Sequence, residues 1–509
     1  MRRVADYHHK LSGDQILNSF MQYCVHRFLK AGRRTAHAAA VALLIAGCGG
    51  GSGGDDDGEV ILTDTGQDGR IAQMRFINMI PDSPIVEMLH EGTSSARFTE
   101  FLPFGTGSNR NDFVIGDFFF NFSYLNGAGT RITLFEESDF PLEDGNEHSF
   151  IMTGTLENST LIRLDNPEFL VGLDDATADV DPQIQFIHTA VGIGSIDFYL
   201  TEIDADISTA TPLATLAFGE NSAIFDTTET DTAQLRAFEA GSTENLLFDS
   251  GATPIARTTR TLIMASNYFG PVGDSDNSGV ELLRFGRTPI GLSNANQPAS
   301  LRVHNLVADT NGVDIYFGDP DGTPDIPNVE FRNRTEEVLI DPQFIELVVT
   351  TAGNSADVIL ELNNQALSGG TRNTLYLGGE ASDPDNENIP NIGSTLAVEN
   401  NRRIAEGVPL RLFNGSTTTT SLNVFLLRPG QDIENTTPNN LLMGGYTGIS
   451  VVTGEFDIVI QETINSSTVF GPERIVPDPG TALNIAIRDT FGGTTPIQVD
   501  LVADPTQAL

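Results

Sequence analysis

From residue 73 onward, apolar residues recur at every second position in short runs. Gly, Pro, Asn, Asp and Thr separate the runs, and no long stretch carries the 3.6-residue period of a helix. The runs recur as a set. Four segments open alike: Met74-Arg75-Phe76-Ile77-Asn78, Ile184-Gln185-Phe186-Ile187-His188, Leu301-Arg302-Val303-His304-Asn305 and Leu410-Arg411-Leu412-Phe413-Asn414. Their starts lie 110, 117 and 109 residues apart. A second strand follows in each copy, at residues 86–89, 196–199, 313–316 and 422–425. It reads apolar, acid or amide, apolar, large apolar, so its first and third residues face a core. The acid in second place (Glu87, Asp197, Asp314; Asn423 in the last copy) is expected to face solvent or cap a turn.

Further landmarks keep the same order. Residues 102–105, 216–219, 329–332 and 441–444 match. So do the strands at 118–125, 235–238, 344–350 and 456–460, and those at 150–152, 262–264, 375–377 and 483–487. Closing strands fall at 161–164, 282–285, 396–398 and 497–501. About seven short strands in roughly 110 residues is the pattern of an antiparallel sandwich. The expected organisation is all-β, a string of four tandem antiparallel β-sandwich domains at 73–181, 182–298, 299–408 and 409–509.

The N-terminal residues read as an address. Arg27, Lys30, Arg33 and Arg34 precede an apolar run at 38–46 that is too short to span a bilayer. The run ends in Leu44-Ile45-Ala46-Gly47-Cys48, which resembles the bacterial lipobox. That resemblance implies a signal peptide at 1–47, cleavage before Cys48, and lipid attachment at Cys48, palmitate among the acyl chains. The stretch ahead of the apolar run is long, so Met21 is an alternative start. Arg27 lacks a paired Arg, which favours the general secretory route over the twin-arginine one. Residues 48–72 then form the lipidated Cys and a Gly- and Asp-rich tether, reaching roughly 25 Å root-mean-square. Gly49, rather than Asp, after the Cys implies transfer to the outer membrane by the sorting logic of double-membraned bacteria.

The opening Met74-Arg75-Phe76-Ile77-Asn78-Met79-Ile80-Pro81-Asp82-Ser83-Pro84-Ile85-Val86-Glu87 resembles the bacterial surface repeats catalogued as domain of unknown function 4397. The second copy keeps His188 and Asp197-Phe198-Tyr199. The third keeps Arg302, Asp314 and Tyr316. The fourth keeps Arg411 but has Asn423 and Phe425. The resemblance covers residues 73–509. It implies an Ig-like sandwich and a cell-envelope location, and it brings no catalytic residues.

Charge narrows the partners. The chain has 69 acidic residues against 28 Lys plus Arg. Residues 1–47 hold seven of those bases and two of the acids, leaving 21 bases against 67 acids, and both lysines, Lys10 and Lys30, go with them. Every remaining base is an Arg. Such a balance excludes nucleic acid, which needs clustered bases, and a flat stance on an anionic membrane. Cys24 and Cys48 both precede the folded part, so no disulfide framework or thiolate metal site is expected there.

Candidate chemistry is sparse. Four histidines follow the signal segment: His90, His148, His188 and His304. His188 aligns with Asn78, Asn305 and Asn414, and reads as a side chain that hydrogen-bonds the turn after the first strand rather than as a metal ligand. Three acidic loops offer oxygens to calcium: 274–279, 319–322 with Asp325, and 383–387. The first resembles an EF-hand start, but Phe285 stands where the bidentate Glu belongs. Each loop reads first as a solvated turn, with calcium as the alternative partner. No His-Glu-x-x-His, Gly-x-Ser-x-Gly or phosphate-loop pattern occurs, so no catalytic, cofactor or metal residues are assigned. The expectation is a non-enzymatic lipoprotein presenting repeats to a protein or glycan partner. The rival readings are a structural spacer and, further off, a hydrolase using sandwich loops.

Overall fold

The opening strand of each repeat is apolar on both faces, and it lies inside a sheet that is covered on both sides. In repeat 3 every residue of Ala299–Val307 is buried. The computed structural model describes residues 71–508, apart from 93–97, 110, 167–182, 228–232, 254–259, 272–278, 287–288, 383–390, 420 and 491–496. These residues belong to one compact unit, Asp68–Leu509. The expected signal peptide, the lipid attachment at Cys48 and the tether up to residue 70 lie outside the described residues.

Each repeat is a pair of sheets. Repeat 3 shows the plan. Its first sheet runs in the order Val338–Ile340, Ala299–Val307, Arg372–Glu380, Asn391–Glu399. Its second runs Ile326–Val329, Val313–Phe317, Gln343–Thr351, Asn354–Leu367. The other repeats follow the same order. The fold is therefore all-β, with sandwich-like sheet pairs as the sequence pattern predicts. The first strands begin slightly ahead of two expected boundaries, at Ile71 and Gly407. Among the described residues the only helical piece is a 3-10 turn, Ile433–Asn435.

One ladder per repeat is parallel, a refinement of the antiparallel expectation. Ala299–Val307 pairs with Arg372–Glu380 in parallel, and the corresponding ladders of the other three repeats do the same. Between these two strands the chain crosses to the second sheet and back, which is the long connection a parallel pair needs. The sandwich cores lie between the paired sheets. Phe76, Phe120, Phe122, Phe140 and Phe150 fill repeat 1; Val303, Ile315, Leu347 and Leu375 stand in the corresponding core of repeat 3.

The second apolar face of each first sheet dictates the next level. Ile77, Met79, Ile151, Ile162 and Leu164 of repeat 1 pack on Ile187, Leu262, Met264, Leu283 and Phe285 of repeat 2. Burying side chains of this size stabilises by about 1.5–3 kcal/mol each. In the same way Leu306, Tyr376 and Ala397 of repeat 3 meet Phe413, Ala486 and Tyr446 of repeat 4. The two pairs also touch end to end. Ala405 N–H donates to Asp82 O at 2.7 Å, and Arg402 donates to the carbonyls of Pro81 and Ser83. Asn294 N–H donates to Gly369 O, and Arg372 to Phe269 O.

The registers give every repeat the same direction. The start of repeat 4 sits on the turn that follows the first strand of repeat 1, and the start of repeat 3 sits on the corresponding end of repeat 2. The four repeats, tandem along the chain as expected, thus pack into a block of two storeys. Spacing in the sequence follows from this. Repeat 2 carries an added strand, Pro289–Gly291, antiparallel to its closing strand Val280–Phe285, which returns the chain to the junction where repeat 3 begins. This climb supplies part of the longer interval of 117 residues; the rest lies in the crossover between Gln183–His188 and Arg260–Asn267.

Candidate functional site

The fifth residue of each opening strand organises the turn that follows. Asn78 Oδ1 accepts Ile80 N–H at 3.0 Å, Asn305 Oδ1 accepts Val307 N–H at 2.9 Å, and Asn414 Oδ1 accepts Ser416 N–H at 3.0 Å. His188 does the same with a ring: Nδ1 accepts Ala190 N–H at 3.2 Å, and Nε2 donates to Gly194 O at 2.9 Å. Burial holds the His188 ring below its ordinary pKa, with the Gly194 carbonyl opposing. This is the turn role that the pattern predicts.

The acid of the second strand caps another turn. Asp314 is buried, and its two oxygens accept Asn328 N–H and Gly353 N–H, each at 2.7 Å. Asp197 accepts Thr215 Oγ1–H at 2.5 Å and Gly241 N–H at 2.7 Å. The solvent-facing option therefore fails for these two residues, because a hairpin glycine with positive φ (Gly241 +78°, Gly353 +77°) turns its N–H inward and needs an acceptor.

Beside Asp314 lies a shallow open groove of about 590 Å³, lined among others by Tyr316, Gly322, Pro324, Pro327 and Ser355. Asn328 forms part of its wall at φ +44°, next to an irregular register between Val313–Phe317 and Ile326–Val329. The Asp314 carboxylate holds this strained residue. The groove surface is uncharged apart from Asp314, whose oxygens already have partners. It opens near the Gly353 turn of repeat 3, at the end of the block opposite Ile71.

The densest chemistry lies between repeats 3 and 4. Asp504 accepts from Arg302 Nη2 at 2.8 Å, Arg334 Nη1 at 2.7 Å, Arg411 Nη1 at 2.9 Å and Asn484 Nδ2 at 2.9 Å. Glu399 meets Arg302 at 2.5 Å, Arg411 at 3.1 Å and the Tyr376 hydroxyl at 2.7 Å. Burial would raise the Asp504 carboxyl; Arg302, Arg334 and Asn484 outweigh it and hold it at about 2. Burial, then Glu399, pushes the Tyr376 hydroxyl well above its ordinary value. In the first pair the same positions are milder: Arg75 meets Glu147 at 3.3 Å and Phe285 O at 3.3 Å, and Gln185 replaces the second Arg.

The second-place Arg was thus a site that the sequence pattern displayed without an assigned role. The signal was a charge in a strand that is apolar on both faces, where a buried guanidinium requires carboxylates. The other residues singled out are dispersed. His148 Nδ1 is 2.7 Å from Asp165, and the His90 ring lies among Phe76, Phe113 and Phe118. Of the acidic loops, 274–278 and 383–387 lie outside the described residues. In the third, Asp325 accepts Phe317 N–H and Asp319 accepts Asp321 N–H, as turn caps do. Among the described residues no group of three or more His, Cys, Asp or Glu converges to hold a metal ion. No family model and no curated protein matches this chain.

Proposed function

We propose that this chain is an exported, non-enzymatic lipoprotein of the bacterial outer membrane, held through Cys48, whose repeats bind a protein or glycan at the cell envelope. The observation that carries the reading is the position of the repeat 3 groove. It opens at the end of the block opposite Ile71, where the tether joins. A chain anchored before Ile71 would turn that end away from the membrane. The lipobox-like Leu44-Ile45-Ala46-Gly47-Cys48 supports the anchor, and the matches at Arg75, Arg302 and Arg411, at His188, and at Asp197 and Asp314 support kinship with domain of unknown function 4397.

His188 serves a turn, His90 an aromatic cluster, His148 a pair with Asp165 and His304 an interface, which supports a binding rather than a hydrolytic role. A spacer gains least from this architecture, because folding four repeats into two storeys halves their reach. Two experiments test the proposal. Cys48→Ser should leave the membrane fraction and stop taking up labelled fatty acid; a mutant that stays and labels like wild type would refute the anchor. Pull-down of envelope glycans and proteins should lose its specific partner with Ser355→Arg in the groove. A partner retained by that variant would remove the groove from the account.

A further inference from the structure

His304 is fully buried at the face between repeats 3 and 4, and neither ring nitrogen has a protein hydrogen-bond partner. Its place in the repeat makes it unusual. The third position after Arg75, Gln185 and Arg411, counting that residue as the first, is Ile77, Ile187 and Phe413. All three are buried in the corresponding interfaces. Only repeat 3 sets a titratable ring where the fold otherwise uses an apolar anchor.

We propose that His304 is an acid-sensitive latch that opens the face between repeats 3 and 4 when its ring takes a second proton. The groups around it explain why the charged ring is not accommodated. Its own strand brings Arg302, and the paired edge stretch brings Arg332 and Arg334. The other strands of its sheet bring Tyr376, 5.6 Å away between centroids, and Glu399. Repeat 4 brings Asp500 to the ring and, through their contacts with Asp500, Arg302, Glu399 and Tyr376, the neighbouring Arg488, Asp504, Arg411 and Tyr446. Five arginines stand against three carboxylates, and those carboxylates are already engaged. Asp504 is held by Arg302, Arg334 and Arg411; Asp500 by Arg332 and Arg488; Glu399 by Arg302 and Arg411. A second N–H on His304 therefore adds positive charge and a donor without a free acceptor. Separating the two faces is the relief, since it exposes the ring to water. The pair formed by repeats 1 and 2 has isoleucine at this place and is not latched in this way.

The sign follows from linkage. Burial first, then Arg334, lowers the ring from 6.5 to about 4 in the closed face. A histidine depressed in the closed state contributes full stability above about 6.5 and loses it as pH falls toward 4. For these two values, opening at pH 5 is favoured about 30-fold over pH 7.5.

Hydrogen exchange of the full chain, corrected for the intrinsic rate at each pH, reads this directly. Peptides covering Ala299–Val307 and Gly407–Asn414 should open about 30-fold more at pH 5 than at pH 7.5 in the wild type. His304→Phe, the residue repeat 4 uses, should abolish that increase. His304→Gln, smaller and uncharged, is the second variant should Phe overpack the face. Acid responses of His90 and His188 are common to all three proteins and cancel in the comparison. An increase that persists in both variants, or its absence from the wild type, overturns the latch.

Discussion

Arg302 Nη2 lies 2.8 Å from Asp504 Oδ2, although 202 residues separate them in the chain. Arg411, at the same place in the next repeat, reaches the repeat 3 carboxylate of Glu399 at 3.1 Å. Repeats 3 and 4 thus each offer an Arg from the first strand and an acid from the last, and the two halves exchange them. The sequence repeat and the three-dimensional pairing are the same fact seen at two levels.

Removing one carboxylate from this centre should unbalance it. Asp504→Asn leaves Arg302, Arg334 and Arg411 partly unpaired in a buried place, and breaking such an arrangement by deleting one partner destabilises by about 3–5 kcal/mol. Denaturant unfolding measures it. The pH response adds a sign. A carboxyl lowered from 3.8 to about 2 contributes stability that is complete above about pH 4 and lost as pH falls toward 2. Wild type should lose about 2 kcal/mol more than Asp504→Asn across that window.

Close backbone approach makes a second test. A Cβ on Gly378 would stand 2.2 Å from Gly415 Cα, across the face between repeats 3 and 4. Gly378→Ala should force the two sheets apart and destabilise by about 1–3 kcal/mol. The thermal midpoint checks it, and a variant as stable as wild type would show that the faces have slack there.

The turn caps predict a loss of similar size by another route. Asn305→Ala strands the buried Val307 N–H and removes the donor to Val329 O at 2.8 Å. Leaving such groups unsatisfied costs about 1–3 kcal/mol. Asn305→His, the choice of repeat 2, should recover part of it.

Much of this fold was legible because the same short apolar runs recur in the same order in all four copies. The opening, second and closing strands carry apolar residues at regular places, and their registers fall where the pattern puts them. Other strands were not legible. Asn354–Leu367 and Arg131–Leu142 pair only along one edge and expose most of their residues, so they carry weak apolar periodicity. The packing of repeat on repeat was also hidden. It is encoded in residues such as Ile77 and Tyr376, which read as ordinary strand positions until a second covered face is known. The groove eluded the sequence because Tyr316, Pro324 and Ser355 meet only after the second sheet has formed. The anchor motif, by contrast, is purely a sequence feature.

The central claim is that two face-to-face pairs stack into one block. Small-angle X-ray scattering of residues 71–509 tests it most directly. A single compact unit of this size should give a radius of gyration of about 22 Å. Four separate sandwiches in a row would give about 40 Å and an elongated distance distribution, which would contradict the account.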